Sequence, residues 1–137
     1  MSNAAPSSIA TFLMFEGRAE EAMNLYVSLF EGSTIDSIVR YGPNEDGREG
    51  TVMHASFTLK GQPFMCIDSA VSHGFSFTPS ISLFVTCDSA AEFDRLFASL
   101  SEGGAVLMPP YSSPVSEQFA WLQDRFGVSW QLNLPKQ

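Results

Sequence analysis

The sequence predicts an α+β fold made of two tandem βαβββ modules. Three observations predict it: an internal repeat, helical spacing of apolar residues once in each copy, and strand-like alternation after each helix. Sliding the chain by 71 positions lays Ala19 on Ala90, Glu21 on Glu92, Leu25 on Leu96, Leu29 on Leu100 and Gly32 on Gly103. Upstream, the same shift lays Phe12-Leu13-Met14 on Leu83-Phe84-Val85. A strand and a helix therefore recur in register.

Each copy opens with a short apolar strand, over residues 9–15 and 81–86. A helix follows. Ala19, Ala22, Met23, Tyr26, Leu29 and Phe30 share one face in the first copy, and Phe93, Leu96, Phe97 and Leu100 in the second. Ser89 and Glu92 have the S-x-x-E spacing of a capping box. Gly32 and Gly103-Gly104 stand where the helices need a left-handed exit. Three strands then complete each copy, over 34–41, 51–59 and 63–68, and over 105–108, 118–124 and 128–134. Asn44-Glu45-Asp46-Gly47 and Lys60-Gly61-Gln62 are turns in the first copy. Residues 109–114 form a loop in the second copy, and Phe126-Gly127 its last hairpin. The expected organisation is a single domain over 1–137, with module one at 9–69, a linker at 70–79 and module two at 80–135.

A four-stranded sheet carrying one helix has one covered face, so two such units side by side leave their other faces to line a concave trough. Alternation assigns the side chains. Met53, Ala55, Phe57 and Leu59 belong under the helix, and His54, Ser56 and Thr58 in the trough. Phe12 and Met14, like Leu83 and Val85, belong under a helix, which leaves Thr11, Leu13 and Phe15, and Ser82, Phe84 and Thr86, in the trough. In the last strand Trp130 and Leu132 are core, and Gln131 faces the trough. Gly61 matches Gly127, which makes Met65 the counterpart of Gln131. The pseudosymmetry then brings Thr11, Ser82, Met65 and Gln131 together. The candidate trough is Thr11, Leu13, His54, Ser56, Met65, Ser82, Phe84 and Gln131.

Charge and cysteine content exclude several function classes. The net charge is −8, with seven scattered Lys and Arg. Phosphate backbones and anionic lipid surfaces require clustered cations, so neither nucleic acid nor a membrane is an expected partner. Cys66 and Cys87 lie in apolar runs without zinc-site spacing and read as buried free thiols in a reducing compartment. No apolar run approaches the length of a membrane span, and residues 1–8 show no signal-peptide pattern. The cytoplasm is the expected location.

Three stretches, FLMFEGRAEEAMNLYVSLF, GQPFMCID and WLQDRFGVSWQ, resemble the PhnB-like family. That family carries the label 3-demethylubiquinone-9 3-methyltransferase and is a branch of the glyoxalase/bleomycin-resistance, or vicinal oxygen chelate, superfamily. The resemblance spans residues 9–135. It implies a glyoxalase-like curved mixed sheet around the trough, and a homodimer. It also implies that metal-dependent relatives take ligands, usually His, Glu or Gln, at the positions of Thr11, Met65, Ser82 and Gln131. Hydroxyls are weak ligands for a hard cation and a thioether is a soft one, leaving Gln131 as the one ordinary oxygen donor. The expected metal and cofactor content is therefore none. The methyltransferase name is set aside as well, because neither strand-to-helix turn, Phe15-Glu16-Gly17-Arg18 or Thr86-Cys87-Asp88-Ser89, is glycine-rich.

Two functions follow as alternatives. One is a metal-free protein that binds a small-molecule ligand. The other is a metal-dependent isomerase, lyase or dioxygenase, which would need a different ligand set such as His54, Asp68 and Gln131. His54 itself reads as either a general base or a hydrogen-bonded structural histidine. Asp68, Ser69 and His73 crowd one turn without a nucleophile elbow and do not make a triad.

Overall fold

The structure is a computed structural model, and it describes residues 9–137. The chain divides into two compact units, Met1–Gly74 and Phe75–Gln137. The first holds β1 (Thr11–Phe15), α1 (Ala19–Leu29), β2 (Thr34–Arg40), β3 (Val52–Leu59) and β4 (Gln62–Asp68). The second holds β5 (Leu83–Thr86), α2 (Ala90–Ser101), β6 (Ala105–Tyr111), β7 (Ser116–Gln123) and β8 (Ser129–Pro135). Each is a βαβββ module with one mixed sheet, ordered β1-β4-β3-β2 and β5-β8-β7-β6. The first strand of each pairs in parallel with the last, and the other pairs are antiparallel. Connection explains the order, since a parallel neighbour needs a crossover and the helix supplies it.

Module one's helix buries the face that its spacing predicts: Ala19, Ala22, Met23, Tyr26, Leu29 and Phe30 are all buried. They pack on Leu13, Phe15, Val52, Ala55, Phe57, Phe64 and Cys66, also buried. Phe57 and Phe64 stack at 5.3 Å. In module two, Phe93, Leu96 and Leu100 of α2 lie over Val85, Ala120, Leu122, Trp130 and Leu132. Phe97 is only half-buried.

The two helices start by different means. Ser89 accepts from Glu92 N at 3.1 Å, the local cap its spacing predicts. The Glu92 carboxylate reaches Asp88 N at 2.7 Å, one residue beyond a reciprocal capping box. Helix α1 has no local side-chain cap. Its cap is Asp68, at the end of β4 and 2% exposed. Asp68 Oδ1 accepts from Gly17 N at 2.7 Å and Ala19 N at 3.0 Å, and Oδ2 from Val52 N at 2.9 Å. Asp124 does similar work in module two: Phe126 N, Val128 N and Trp130 Nε1 all donate to its carboxylate, at 2.9, 3.0 and 2.8 Å.

Two expectations change. Residues 109–111 are not loop: Pro109, Pro110 and Tyr111 continue β6. β6 is an edge strand, where a missing N–H costs no sheet hydrogen bond, and its pairing to β7 shifts register twice around the prolines. In module one, β3 carries an irregularity, since Val39 pairs His54 but Arg40 pairs Val52. The extra residue turns Val52 under the helix, and Met53 lines a cavity on the other side.

Both cysteines are free and buried. Burial, helped by the nearby Asp68 carboxylate, pushes the Cys66 thiol up to about 12 from a reference of 9.0. At pH 8 its thiolate fraction should be about a thousandfold below that of an unfolded thiol. A disulfide reagent should therefore leave Cys66 unmodified in native protein and modify it promptly in urea. Because the folded state holds that proton longer, the Cys66 contribution to stability should decline as pH rises from about 9 towards 12. Prompt native labelling at Cys66 would contradict the burial.

Candidate functional site

In each module, strand pairing fixes which side chains stand on the face away from the helix. In module two, Leu83, Val85, Trp130 and Leu132 are partners on the helix side. Ser82, Phe84, Thr86, Gln131 and Asn133 alternate with them and stand on the open face. Phe84 is 59% exposed and pairs directly with Gln131, whose other neighbour is Trp121. A short chain of hydrogen bonds runs through these residues. Trp121 Nε1 donates to Ser129 Oγ at 2.9 Å, Ser129 and Ser82 hydroxyls share a bond of 2.6 Å, and Gln131 Nε2 donates to Ser82 Oγ at 3.4 Å. Ser82 and Gln131 thus meet, with the amide nitrogen of Gln131 turned toward the serine. Phe84, Phe119 and Tyr111 form an aromatic row beside them, with Phe119 at 6.4 Å from Phe84 and 5.7 Å from Tyr111.

In module one the expected phase of the first strand is wrong by one residue. Leu13 is 7% exposed and Phe15 5%, both under α1, whereas Phe12 is 52% exposed. Leu13 is therefore core and not a trough residue. Thr11 shares the helix side of the strand with Leu13 and pairs with Phe64, although it is exposed at the strand start. Phe12 takes the open face beside Met65. The cause is the spacing from strand to helix: Leu13 stands six positions before Ala19, whereas Val85 stands five before Ala90. Leu13 pairs with Cys66 and Val85 with Leu132, and Cys66 and Leu132 are counterparts through the Gly61/Gly127 hairpins. So Leu13 corresponds to Val85, one position beyond the offset that aligns the helices. A slip of one residue reverses every side chain of a strand. With the register corrected, Phe12 is the counterpart of Phe84, and Ala10, not Thr11, the counterpart of Ser82.

His54, Ser56 and Met65 stand on module one's open face. Ser56 Oγ and Ser37 Oγ are 2.7 Å apart. His54 sits opposite Val39 and makes no side-chain hydrogen bond to another described residue. Asp68 lies on the opposite face of the same sheet with its carboxylate engaged by three backbone N–H groups. The ligand set that needs His54 with Asp68 is therefore not assembled.

Sequence reasoning missed a cavity at the end of module one's open face. It has a volume of about 440 Å³. Met14, Met53 and Ile67 line it from the sheet, together with Tyr41, the 45–46 turn and residues 69–71. Tyr41 is held there by its hydroxyl, which donates to Asp68 O at 3.1 Å. Ser69 Oγ lies 2.8 Å from His73 Nε2, and it also donates to Val71 O at 2.8 Å and accepts from Val71 N at 3.2 Å. That is a serine turn; with Asp68 committed elsewhere, no triad is completed.

The donor set does not suit a hard divalent ion. Where the resemblance implies ligands, the corrected positions hold Ala10, Met65, Ser82 and Gln131. Ala10 has no donor, Met65 offers a thioether, and Ser82 is engaged by Ser129 and Gln131. Among the described residues, no three His, Cys, Asp or Glu side chains gather as a metal site would require. No described helix is long and apolar enough to cross a membrane.

Comparison with known proteins places these observations. Residues 7–133 match the family model described as 3-demethylubiquinone-9 3-methyltransferase. The chain is 60% identical to the solved PhnB protein from Bacillus cereus, with a TM-score of 0.91 over 93% of this chain and 99% of that one. It is 28% identical to protein PA1353 from Pseudomonas aeruginosa, with a TM-score of 0.82 over 96% of this chain and 100% of the other. A glyoxylase/bleomycin resistance protein/dioxygenase domain from Frankia sp. EAN1pec shares the fold at 16% identity, with a TM-score of 0.57 over 97% of this chain and 100% of that one. No curated protein matches the chain.

Proposed function

The chain belongs to the PhnB-like family, described as 3-demethylubiquinone-9 3-methyltransferase, and from that membership we propose that it is a metal-free, small-molecule-binding protein with a glyoxalase-like fold. One observation carries the reading. At the four positions where metal-dependent relatives are expected to hold an ion, this chain presents a methyl group, a thioether, a hydrogen-bonded hydroxyl and an amide whose nitrogen is turned toward that hydroxyl. Such a set neither grips a hard cation nor activates water on one. It can line a site for an organic molecule. The open faces offer aromatic rings, thioethers and neutral polar groups, and module one has a cavity in the size range of small-ligand sites.

The family's name does not describe an activity of this chain. The strand-to-helix turns, at residues 16–18 and 87–89, hold a single glycine between them. Neither resembles a loop that wraps a nucleoside or a phosphate. The proposal includes a cytoplasmic homodimer without nucleic-acid partners. The exposed apolar side chains of edge strand β6, Val106, Leu107, Met108 and Tyr111, support a partner there, and the net charge of −8 supports the exclusion of nucleic acid.

Elemental analysis of dialysed protein tests the reading. Zinc, nickel, manganese and iron should each fall far below one atom per chain, and supplementing any of them should leave the melting temperature unchanged. One tightly held ion per chain, lost on exchanging Gln131 for Ala, would replace this reading with the metal-dependent enzyme. Exchanging His54 for Ala should change neither metal content nor turnover of glyoxalase-type substrates.

A further inference from the structure

We infer that the module-one cavity takes a small organic cation with an apolar body, such as an aryl or alkyl ammonium. The inference deepens the small-molecule reading and rests on it. The floor of the cavity is apolar: Met14, Met53 and Ile67 on the sheet, and Val71 on the segment that follows β4. Methionine thioethers are polarizable and adapt to a guest's shape. Tyr41, 8% exposed and anchored through its hydroxyl, also lines the cavity. An aromatic ring beside a cation attracts it. Glu45 and Asp46 line the cavity as well, and no Lys or Arg does. Neither acid is ion-paired among the described residues. Glu45 accepts Gly42 N, which fixes one of its oxygens at the turn. Arg48, the nearest cation in sequence, places its guanidinium beside Gly17 and does not line the cavity. An apolar floor under uncompensated negative charge repels carboxylate and phosphate ligands and favours an ammonium whose hydrocarbon part is buried.

The methionine methyl groups make the test direct. Protein labelled with 13C at the methionine methyls is titrated with benzyltrimethylammonium, with its uncharged carbon isostere neopentylbenzene and with phenylacetate. The cation should shift the Met14 and Met53 signals and leave that of Met23, which is fully buried under α1, in place. Replacing Glu45→Gln and Asp46→Asn together should weaken the cation about tenfold and leave any neutral binding unchanged. Glutamine keeps the oxygen that accepts Gly42 N, so the turn is preserved. Equal or tighter binding of the neutral or anionic probe, or indifference to the double exchange, would overturn the cation preference and leave the small-molecule reading standing. If no probe of any charge moved Met14 or Met53, both would fall.

Discussion

Replacing Asp68 by Ala should lower the unfolding free energy by about 3–5 kcal/mol. Asp68 is 2% exposed and its carboxylate closes three backbone donors at once: Gly17 and Ala19 at the start of α1, and Val52 at the start of β3. Truncation leaves those N–H groups without an acceptor, two of them buried beyond easy hydration, and each orphan costs about 1–3 kcal/mol before water relieves part of it. It also removes a negative charge from the positive end of the helix. A domain stable by about 5–15 kcal/mol would lose a large share of its margin. Asp68→Asn keeps one carbonyl oxygen and should fall between wild type and Ala. Urea titration followed by circular dichroism measures both. A loss under about 1 kcal/mol for Asp68→Ala would mean that solvent satisfies these donors and that α1 is held by packing alone.

The contrast between the two helix starts shows how much of the fold could be read from sequence. The cap of α2 is local, so Ser89 and Glu92 reveal it at the spacing of an S-x-x-E motif. The cap of α1 comes from β4, 49 residues away from Ala19 in the chain, and no local pattern marks it. The helices and most strands were legible because apolar side chains repeat at helical or alternating spacing, and Tyr26, Leu96 and Trp130 are buried as that spacing requires. The open face of module two was legible for the same reason. That of module one is not, because aligning the two copies on their helices puts β1 one residue out of phase, Leu13 standing six positions before Ala19 and Val85 five before Ala90. The hairpin glycines, Gly61 and Gly127, give the correct phase when strands are aligned through β4 and β8 instead, and they make Phe12 the counterpart of Phe84. The cavity was out of reach: Tyr41, the 45–46 turn and residues 69–71 meet only once the chain has folded.

Gly104 is the second position where one substitution should be severe. The sequence offers Gly103-Gly104 as a single helix exit, but the two residues do different jobs. Gly103 has φ +75° and supplies the left-handed turn after α2, so Gly103→Ala should cost about 1 kcal/mol of backbone strain. Gly104 is needed for close approach. A Cβ there would lie 2.1 Å from Gln123 O and within 3.0 Å of the Asp124 backbone. These atoms cannot rotate away as a side-chain tip would. They belong to the end of β7 and the turn in which the Asp124 carboxylate holds Phe126 N, Val128 N and Trp130 Nε1. Relieving the clash means moving β6 off β7 or breaking that turn. Gly104→Ala should therefore cost about 3 kcal/mol or more, well above its neighbour. Trp130 makes the damage visible, because its indole is 1% exposed and hydrogen-bonded to the turn. Its fluorescence should shift to the red in native Gly104→Ala and not in native Gly103→Ala. Equal stability of the two variants, or a sharper loss at Gly103, would show that β6 leaves α2 by a wider path than this packing allows.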